Sequence, residues 1–211
     1  MSLLDEIVSA FADLDEERTI NLVKEALEKY PLNEIFDACR RATDIVGERY
    51  ERGEYFLSEL VYAGHIFNRI LELLLPRLER ERVSILGTIL LGTVEGDVHD
   101  IGKNIFKAFA EAAGFKVIDI GVDVPPQKFV EAVKEHKPDI VGLSGLLTLA
   151  IDSMKRTIDA LKAEGLRDKV KVIIGGGRVD EYAKNYTGAD AWADSATKGV
   201  KLCKELLGIK E

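Results

Sequence analysis

The pattern of apolar residues changes near residue 83, and this change constrains the fold more than any other feature of the chain. After it, short apolar runs alternate with segments of helical periodicity. The apolar runs lie near residues 85–91, 116–120, 139–143, 171–174 and 190–193, and the helical patterns near 101–113, 126–135, 151–164, 179–186 and 196–207. Strands that alternate with helices form parallel sheets covered on both faces. We therefore expect an α/β fold with five parallel strands in the flavodoxin-like (Rossmann-like) order 2-1-3-4-5.

The first 80 residues carry helical periodicity alone. Ser2 and Asp5 have the spacing of a capping box that opens a short helix. Three longer apolar stripes at helical spacing follow, over residues 20–30, 35–50 and 60–74. Short connections between such helices indicate an antiparallel four-helix bundle. The charged run 77–82 fits an exposed linker or a solvated helix end, so we predict a helical domain over 1–82 and an α/β domain over 83–211.

Charge and cysteine content narrow the classes of partner. The 211-residue chain carries a net charge of −8 and shows no basic patch, which argues against binding to nucleic acid or to an anionic membrane. Cys39 and Cys203 lie far apart without metal-binding spacing, as expected in a reducing compartment. The chain shows neither a signal peptide nor an apolar span long enough for a membrane. We expect a cytoplasmic protein.

Three unusual loops are predicted to meet at one edge of the sheet. They follow strand 1 at residues 96–104, strand 3 at residues 144–148, and strand 4 at the glycines 175–177. Ligands of such sheets bind beyond the carboxyl ends of the strands, here between strands 1 and 3. Each loop alone is explained by a helix cap or a tight turn. Together they predict a binding crevice, where glycines let a ligand approach the backbone and hydroxyls hold it.

The first of these loops contains a candidate metal ligand. His99 lies between Asp97 and Asp100 at the end of a buried strand. An imidazole binds a metal through one ring nitrogen, and an acceptor at the other nitrogen fixes its tautomer. Either aspartate could be that acceptor. An aspartate N-cap beside an incidental histidine explains the same residues equally well.

The loop residues at these separations resemble a known signature. Asp97-x-His99-x-x-Gly102, then Ser144-x-Leu146, then Gly175-Gly176 is similar to the motif of the cobalamin-binding domain. The whole chain, including its helical half, resembles the corrinoid proteins of methyltransferase systems and the matching module of cobalamin-dependent methionine synthase. The resemblance implies a helical cap domain followed by a cobalamin-binding domain.

The resemblance also implies a role for each site residue. His99 would be the lower axial ligand of cobalt, replacing the dimethylbenzimidazole of the cofactor, and Asp97 would accept a hydrogen bond from its other ring nitrogen. The released nucleotide tail would enter the crevice between strands 1 and 3. Phe56 would cover the upper face of the corrin, although a hydrophobic staple at a helix start is an alternative. The residues implied to contact the cofactor are Phe56, Asp97, Val98, His99, Asp100, Ile101, Gly102, Ser144, Leu146, Thr148, Gly175, Gly176, Gly177, Trp192 and Asp194.

One position departs from the pattern of methionine synthase. That enzyme has a serine six residues after the position of Ser144, completing a histidine–aspartate–serine relay, and this chain has Ala150 there. The proton handling of that relay therefore cannot be carried over. Asp97 must find water or another group as its further partner.

The function implied is that of a methyl carrier. Cobalamin would alternate between methylcobalamin and cob(I)alamin, taking a methyl group from a substrate:corrinoid methyltransferase and giving it to a tetrahydrofolate- or thiol-dependent methyltransferase, with a reductive activase restoring the cofactor. No complete active site for an organic donor is evident, which fits a corrinoid subunit better than a self-sufficient enzyme. A cobalamin-binding sensor and the small subunit of an adenosylcobalamin mutase are the alternatives. The methyl donor is not encoded in any recognisable motif.

Overall fold

A computed structural model describes residues 2–78 and 85–209. The chain divides into two compact units, one of Met1–Ile85 with Ala112–Gly114 and one of Leu86–Glu111 with Phe115–Glu211. Most of the charged run predicted as a linker, at residues 79–82, lies outside the described residues. No helix in the described ranges is both long and apolar enough to cross a membrane.

The helical unit is built from amphipathic helices joined by short turns. Its described helices are α1 (Leu3–Ala12), α2 (Glu16–Lys29), α3 (Leu32–Glu51) and α4 (Leu57–Leu78). The predicted capping box is present, because the Ser2 hydroxyl accepts from the Asp5 N–H while the Asp5 carboxylate accepts from the Ser2 N–H. Helix α1 packs on α2 and α3, and α3 packs on α4, around fully buried side chains such as Phe11 and Phe67. The predicted N-terminal helical region is confirmed.

The α/β unit has the predicted alternation. Its elements are β1 (Thr88–Thr93), α5 (Ile101–Ala112), β2 (Lys116–Asp119), α6 (Pro126–His136), β3 (Ile140–Ser144), α7 (Ala150–Ala163), β4 (Lys171–Gly175), α8 (Glu181–Thr187), β5 (Ala191–Ala193) and α9 (Ala196–Leu206). A short 3₁₀ turn precedes β4. The described strands form one parallel sheet in the order β2-β1-β3-β4-β5, which confirms the prediction. Strand β1 begins at Thr88, later than predicted, because both neighbouring strands start opposite Thr88 and Ile89.

The two faces of this sheet differ. Side chains alternate along a strand, so Leu90, Val141 and Val172 share one face, and all three are fully buried in the main hydrophobic cluster with residues of α6 and α7. Leu91, Gly142 and Ile173 lie in register on the opposite face. Gly142 has no side chain there, and the Leu91 side chain occupies the space beside it, since a Cβ at Gly142 would lie 2.9 Å from Leu91 Cδ1.

Candidate functional site

His99 lies in the loop between β1 and α5, and its ring is half-exposed. The hydroxyl of the buried Thr93, the last residue of β1, donates to the His99 carbonyl oxygen at 3.1 Å. The His99 N–H donates to Asp97 Oδ1 at 3.0 Å, and the ring Nδ1 lies 2.7 Å from the same oxygen. A carboxylate can only accept, so Nδ1 carries a proton, and in the neutral imidazole Nε2 then keeps its lone pair. The loop thus presents one imidazole nitrogen able to bind a metal.

Asp97, rather than Asp100, is the acceptor for this ring. Asp100 precedes α5 on the surface, where its carboxylate accepts from the Asn104 side chain at 3.2 Å. Asp97 is completely buried, and its second oxygen accepts the backbone N–H groups of Leu146 at 2.7 Å and Leu147 at 2.9 Å. The further partner that the sequence left open is therefore the loop after β3.

These contacts keep the Asp97 carboxylate charged. Burial alone would raise the pKa of Asp97, but the N–H groups of Leu147 and His99, the His99 ring and the Leu146 N–H together lower the pKa from 3.8 to about 2. Ala150, which stands in place of the relay serine, packs closely beneath this loop. A Cβ added at Gly145 would lie 2.5 Å from the Ala150 methyl group. Backbone amides are thus the other group that Asp97 was expected to find in the absence of the relay serine.

Exposed apolar side chains surround the histidine loop. They come from the loops that follow the carboxyl ends of three adjacent strands. The residues are Val98, Ile101, Val122, Leu146, Leu147 and Leu149, each 40–75% exposed. Val98, Ile101 and Leu146 were predicted to contact the ligand, whereas the other three were missed. The sequence feature that could have found these three is an apolar residue in a loop at the edge of the sheet. A group of exposed apolar side chains of this kind marks a binding surface.

A cleft opens between the face of the sheet that carries Leu91, Gly142 and Ile173 and helices α5 and α9. Its volume is about 160 Å³. The described residues lining it are Leu91, Gly102, Lys103, Phe106, Gly142, Leu143, Ser144, Ile173, Ile174, Gly175, Gly176, Gly177, Ala193, Asp194, Ser195, Ala196 and Gly199. Gly102, Ser144, the glycines 175–177 and Asp194 were predicted for this site. Lys103, Phe106 and Gly142 were missed, since they belong to regular elements rather than to loops.

Three residues that were predicted to contact the cofactor are not among the described residues that line the cleft. They are Leu146, Thr148 and Trp192. Leu146 contributes its backbone N–H to Asp97 instead, and Thr148 is exposed in the turn before α7. Trp192 is in register with Ile174, and its side chain packs against the main hydrophobic cluster. Its indole N–H donates to Glu181 at 2.9 Å, and the Lys198 ammonium lies 3.5 Å from its ring centroid.

Gly176 is required by the protein backbone itself. It has a φ of +139°, and a Cβ there would lie 1.8 Å from the carbonyl oxygen of Gly145. The neighbouring Gly145 N–H donates to the Gly175 carbonyl at 3.0 Å, which joins the loops after β3 and β4. We expected this glycine to admit a ligand, but the group closest to it is another loop. Gly176 thus holds in place the loop whose amides bind Asp97.

Comparison with known proteins identifies the family. The B12 binding domain family matches residues 87–201, and a second family with the same description matches residues 3–75. The dimethylamine corrinoid protein of Methanosarcina barkeri is 40% identical over 209 residues, covering 97% of each chain. The chain belongs to the B12-binding corrinoid proteins of methyltransferase systems.

Solved structures of similar proteins agree with this membership. A cobalamin-binding protein from Desulfitobacterium hafniense DCB-2 superimposes with a TM-score of 0.81 at 46% identity, covering 96% of this chain and 98% of that one. The methanol:cobalamin methyltransferase complex MtaBC from Methanosarcina barkeri gives a TM-score of 0.80 at 27% identity, covering 99% of this chain and 80% of that one. The resemblance found in the sequence is confirmed, and this corrinoid protein binds cobalamin.

The residues of the α/β unit fit a corrin. Cobalt is a metal that an imidazole nitrogen can bind, and His99 would offer it such a nitrogen through Nε2. An apolar rim around that nitrogen suits the underside of a macrocycle. The cleft beside it suits a side arm of the cofactor. Phe56 lies in the other unit and is 68% exposed at the start of α4. Such exposure does not suit a hydrophobic staple, and its role as a corrin cap stays a prediction.

Proposed function

We propose that this corrinoid protein carries a methyl group on cobalamin bound base-off, with His99 Nε2 as the lower axial ligand. The methyl group passes from a substrate-specific methyltransferase to a second methyltransferase that uses tetrahydrofolate or a thiol. The observation that carries the proposal is the Nδ1–Oδ1 contact of 2.7 Å, which leaves Nε2 as the donor atom. When bound, cobalamin supplies a cobalt centre that accepts a methyl group and gives it up.

Asp97 and its partners prepare the histidine for this role. The charged carboxylate holds the proton on Nδ1, orients the ring and makes the imidazole a better electron donor. Nε2 is then free to bind cobalt. The Leu146 and Leu147 amides fix the carboxylate without offering a hydroxyl, so this chain keeps the orienting part of the relay and lacks its serine.

The cleft is the proposed site for the nucleotide tail of the cofactor. Apolar side chains such as Leu91, Phe106 and Ile173 line most of it, and Ser144 and Asp194 bring polar groups. A Cβ at Gly175 would have only the Ala193 carbonyl oxygen within 4 Å, at 3.7 Å, so this glycine leaves room for a flat ring against β4. We expect cobalamin with its tail to bind more tightly than cobinamide, which lacks the base.

The proposed partners follow from the relatives. The solved complex MtaBC contains a methyltransferase, and we infer a methyltransferase partner for this chain as well. A second methyltransferase and a reductive activase would complete the cycle. Cys39 and Cys203 are free and buried, which agrees with a role in the cytoplasm.

The axial ligand is tested by His99→Ala, with His136→Ala as the matched control on the surface of α6. We expect the His99 variant to retain cobalamin about 10- to 100-fold less well and to shift the visible spectrum of the bound cofactor. The His136 variant should match the wild-type protein in both. A wild-type spectrum for the His99 variant would contradict the assignment.

The carrier role is tested separately. Purified protein loaded with reduced cobalamin is mixed with candidate methyltransferases and their methyl donors, and methylation is followed by absorbance. One enzyme that methylates the bound cofactor stoichiometrically supports a carrier. Tight cobalamin binding without methylation by any of them would favour a sensor.

A further inference from the structure

The histidine loop is held along one side by a segment that begins with the last residue of β2 and continues beyond that strand. This segment, residues 119–124, runs beside the start of the loop. The Thr93 N–H donates to the Gly121 carbonyl and the Val124 N–H to the Thr93 carbonyl, both at 3.0 Å, and Val94 forms a parallel bridge with Val124. The path of the loop is therefore set partly by residues more than 20 positions away.

Asp123 anchors the loop just before His99. Its carboxylate Oδ1 accepts the Gly96 N–H at 2.7 Å, and its own N–H donates to the Asp97 carbonyl at 2.9 Å. To make both contacts, Asp123 adopts a φ of +52°, in the left-handed region that side chains other than Asn and Asp avoid. The side chain is exposed, so burial does not account for this conformation. A strained residue that holds a binding loop points to a functional constraint.

A second anchor lies just after His99. Lys103, in the first turn of α5, is 5% exposed, and its ammonium forms an ion pair with Asp119 at the end of β2. Asp119 also accepts the Gly121 N–H at 3.0 Å through its other oxygen. Within the described part of the chain, Asp119 is the carboxylate that neutralises this buried cation. The ion pair thus ties the start of α5 to the same segment that holds Gly96 and Asp97.

We propose that residues 119–124 are a positioning element for His99, with Asp123 as the anchor before it and the Asp119–Lys103 pair as the anchor after it. This rests on the proposed function, because it assumes that His99 binds cobalt. A bond from Nε2 requires the ring at one place and one angle. A loop fixed on both sides of the histidine loses little freedom when the cofactor binds.

A series at one position separates the hydrogen bond from the strained backbone. Asp123→Asn keeps an acceptor oxygen and tolerates the positive φ. Asp123→Gly tolerates the φ without an acceptor, and Asp123→Ala has neither property. We expect Asn to behave like the wild type, and Gly and Ala to retain cobalamin about tenfold less well, the usual cost of losing a group that orients a metal ligand.

The decisive measurement is the electron paramagnetic resonance spectrum of bound cob(II)alamin in protein labelled with ¹⁵N-histidine. The isotope changes the nitrogen splitting when a histidine of the protein is the axial ligand. We expect this splitting in the wild type and the Asn variant, and a smaller fraction of it in the cofactor still bound to the Gly variant. A residue that only stabilised the fold would lower the thermal midpoint and leave this fraction unchanged, which would overturn the inference.

Different experimental outcomes would contradict the second anchor, the positioning role of Asp123 and the proposed function. Asp119→Asn, with thermal unfolding as a check on folding, should lower the same fraction, and an unchanged fraction in a folded variant would remove Asp119 and Lys103 from the element. If the labelled wild type itself shows no histidine splitting, the proposed ligand is wrong. If the wild type shows it and Asp123→Gly shows it equally, the positioning role alone is wrong.

Discussion

The two units of this corrinoid protein hold their candidate functional side chains in opposite ways. In the α/β unit, the His99 ring is fixed by a fully buried carboxylate that is held in turn by the amides of Leu146 and Leu147. In the helical unit, the Phe56 ring is exposed, and the hydrogen bonds around it involve its backbone, whose N–H donates to the Glu59 carboxylate at 2.9 Å.

The difference corresponds to the way in which each kind of group contributes to ligand binding. A ligand nitrogen must point in one direction, and orienting it in advance lowers the entropy lost on binding. An apolar ring needs only to be available, because its contribution comes from water released when it is covered. Substitutions that disturb the α/β site should therefore affect the folded protein before any cofactor binds, and a substitution of Phe56 should not.

The largest effect is expected for Gly176→Ala. The new Cβ would overlap the Gly145 carbonyl oxygen and force apart the two loops behind Asp97, at a cost of about 3 kcal/mol or more. Gly102→Ala is the matched control, since a Cβ at Gly102 meets nothing within 4 Å. Urea unfolding should show a large loss of stability for Gly176→Ala and no loss of stability for Gly102→Ala. Equal urea midpoints for the two variants would show that Gly176 does not hold the loops after β3 and β4 together.

A smaller effect, dependent on pH, is expected for Asp97→Asn. The folded pKa of Asp97 is about 2, against an ordinary value of 3.8. A lowered folded pKa gives stability that is present above the unfolded pKa and is lost as the pH falls through the folded pKa. The charged carboxylate thus contributes about 2 kcal/mol near neutral pH, lost between about pH 4 and about pH 2.

The measurement is the free energy of unfolding of wild type and variant near neutral pH and again at about pH 2.5. The difference between the two proteins should shrink at low pH. Asp100→Asn, which alters an exposed carboxylate on the same loop, is the control and should leave stability close to the wild type. A difference that stays constant with pH would show that the charge of Asp97 is not what the amides stabilise.

What could be predicted from the sequence depended on how local the contact is. Strand order followed from the alternation of apolar runs, and the pairing of His99 with Asp97 spans two residues. The amides of Leu146 and Leu147 come from 50 residues away along the chain, and a backbone donor leaves no mark on residue type. Asp123 and Asp119 were missed for a related reason, because an aspartate in a turn or at a strand end is ordinary.

The cleft shows a second limit of prediction from the sequence, because the direction of each side chain along a strand was not assigned. The resemblance implied that Trp192 and Asp194 contact the cofactor, and Asp194 does line the cleft, together with Ala193. The Trp192 side chain packs against the main hydrophobic cluster instead, because side chains alternate along a strand. Gly142 was missed because a glycine inside an apolar run was assigned to the strand, whereas the residues of the crevice were sought in the loops.

The smallest effect on folding is expected for Phe56→Ala. The ring is 68% exposed, so its removal should change the stability of the cofactor-free protein by no more than about 0.5 kcal/mol. Phe67→Ala on the same helix is the contrast, since that ring is 1% exposed and its loss should cost about 3–5 kcal/mol. Thermal or urea unfolding of the two variants measures this directly.

The same Phe56 variant also tests the proposed cap. If the ring covers the upper face of the corrin, cyanide should bind faster to the cobalt of cobalamin held by Phe56→Ala than to that held by the wild type, while the lower ligand is unchanged. An equal rate would show that the Phe56 ring does not cover the upper face of the corrin. A faster rate with unaltered folding would show that the helical unit acts through its surface, in contrast to the buried polar contacts that hold His99.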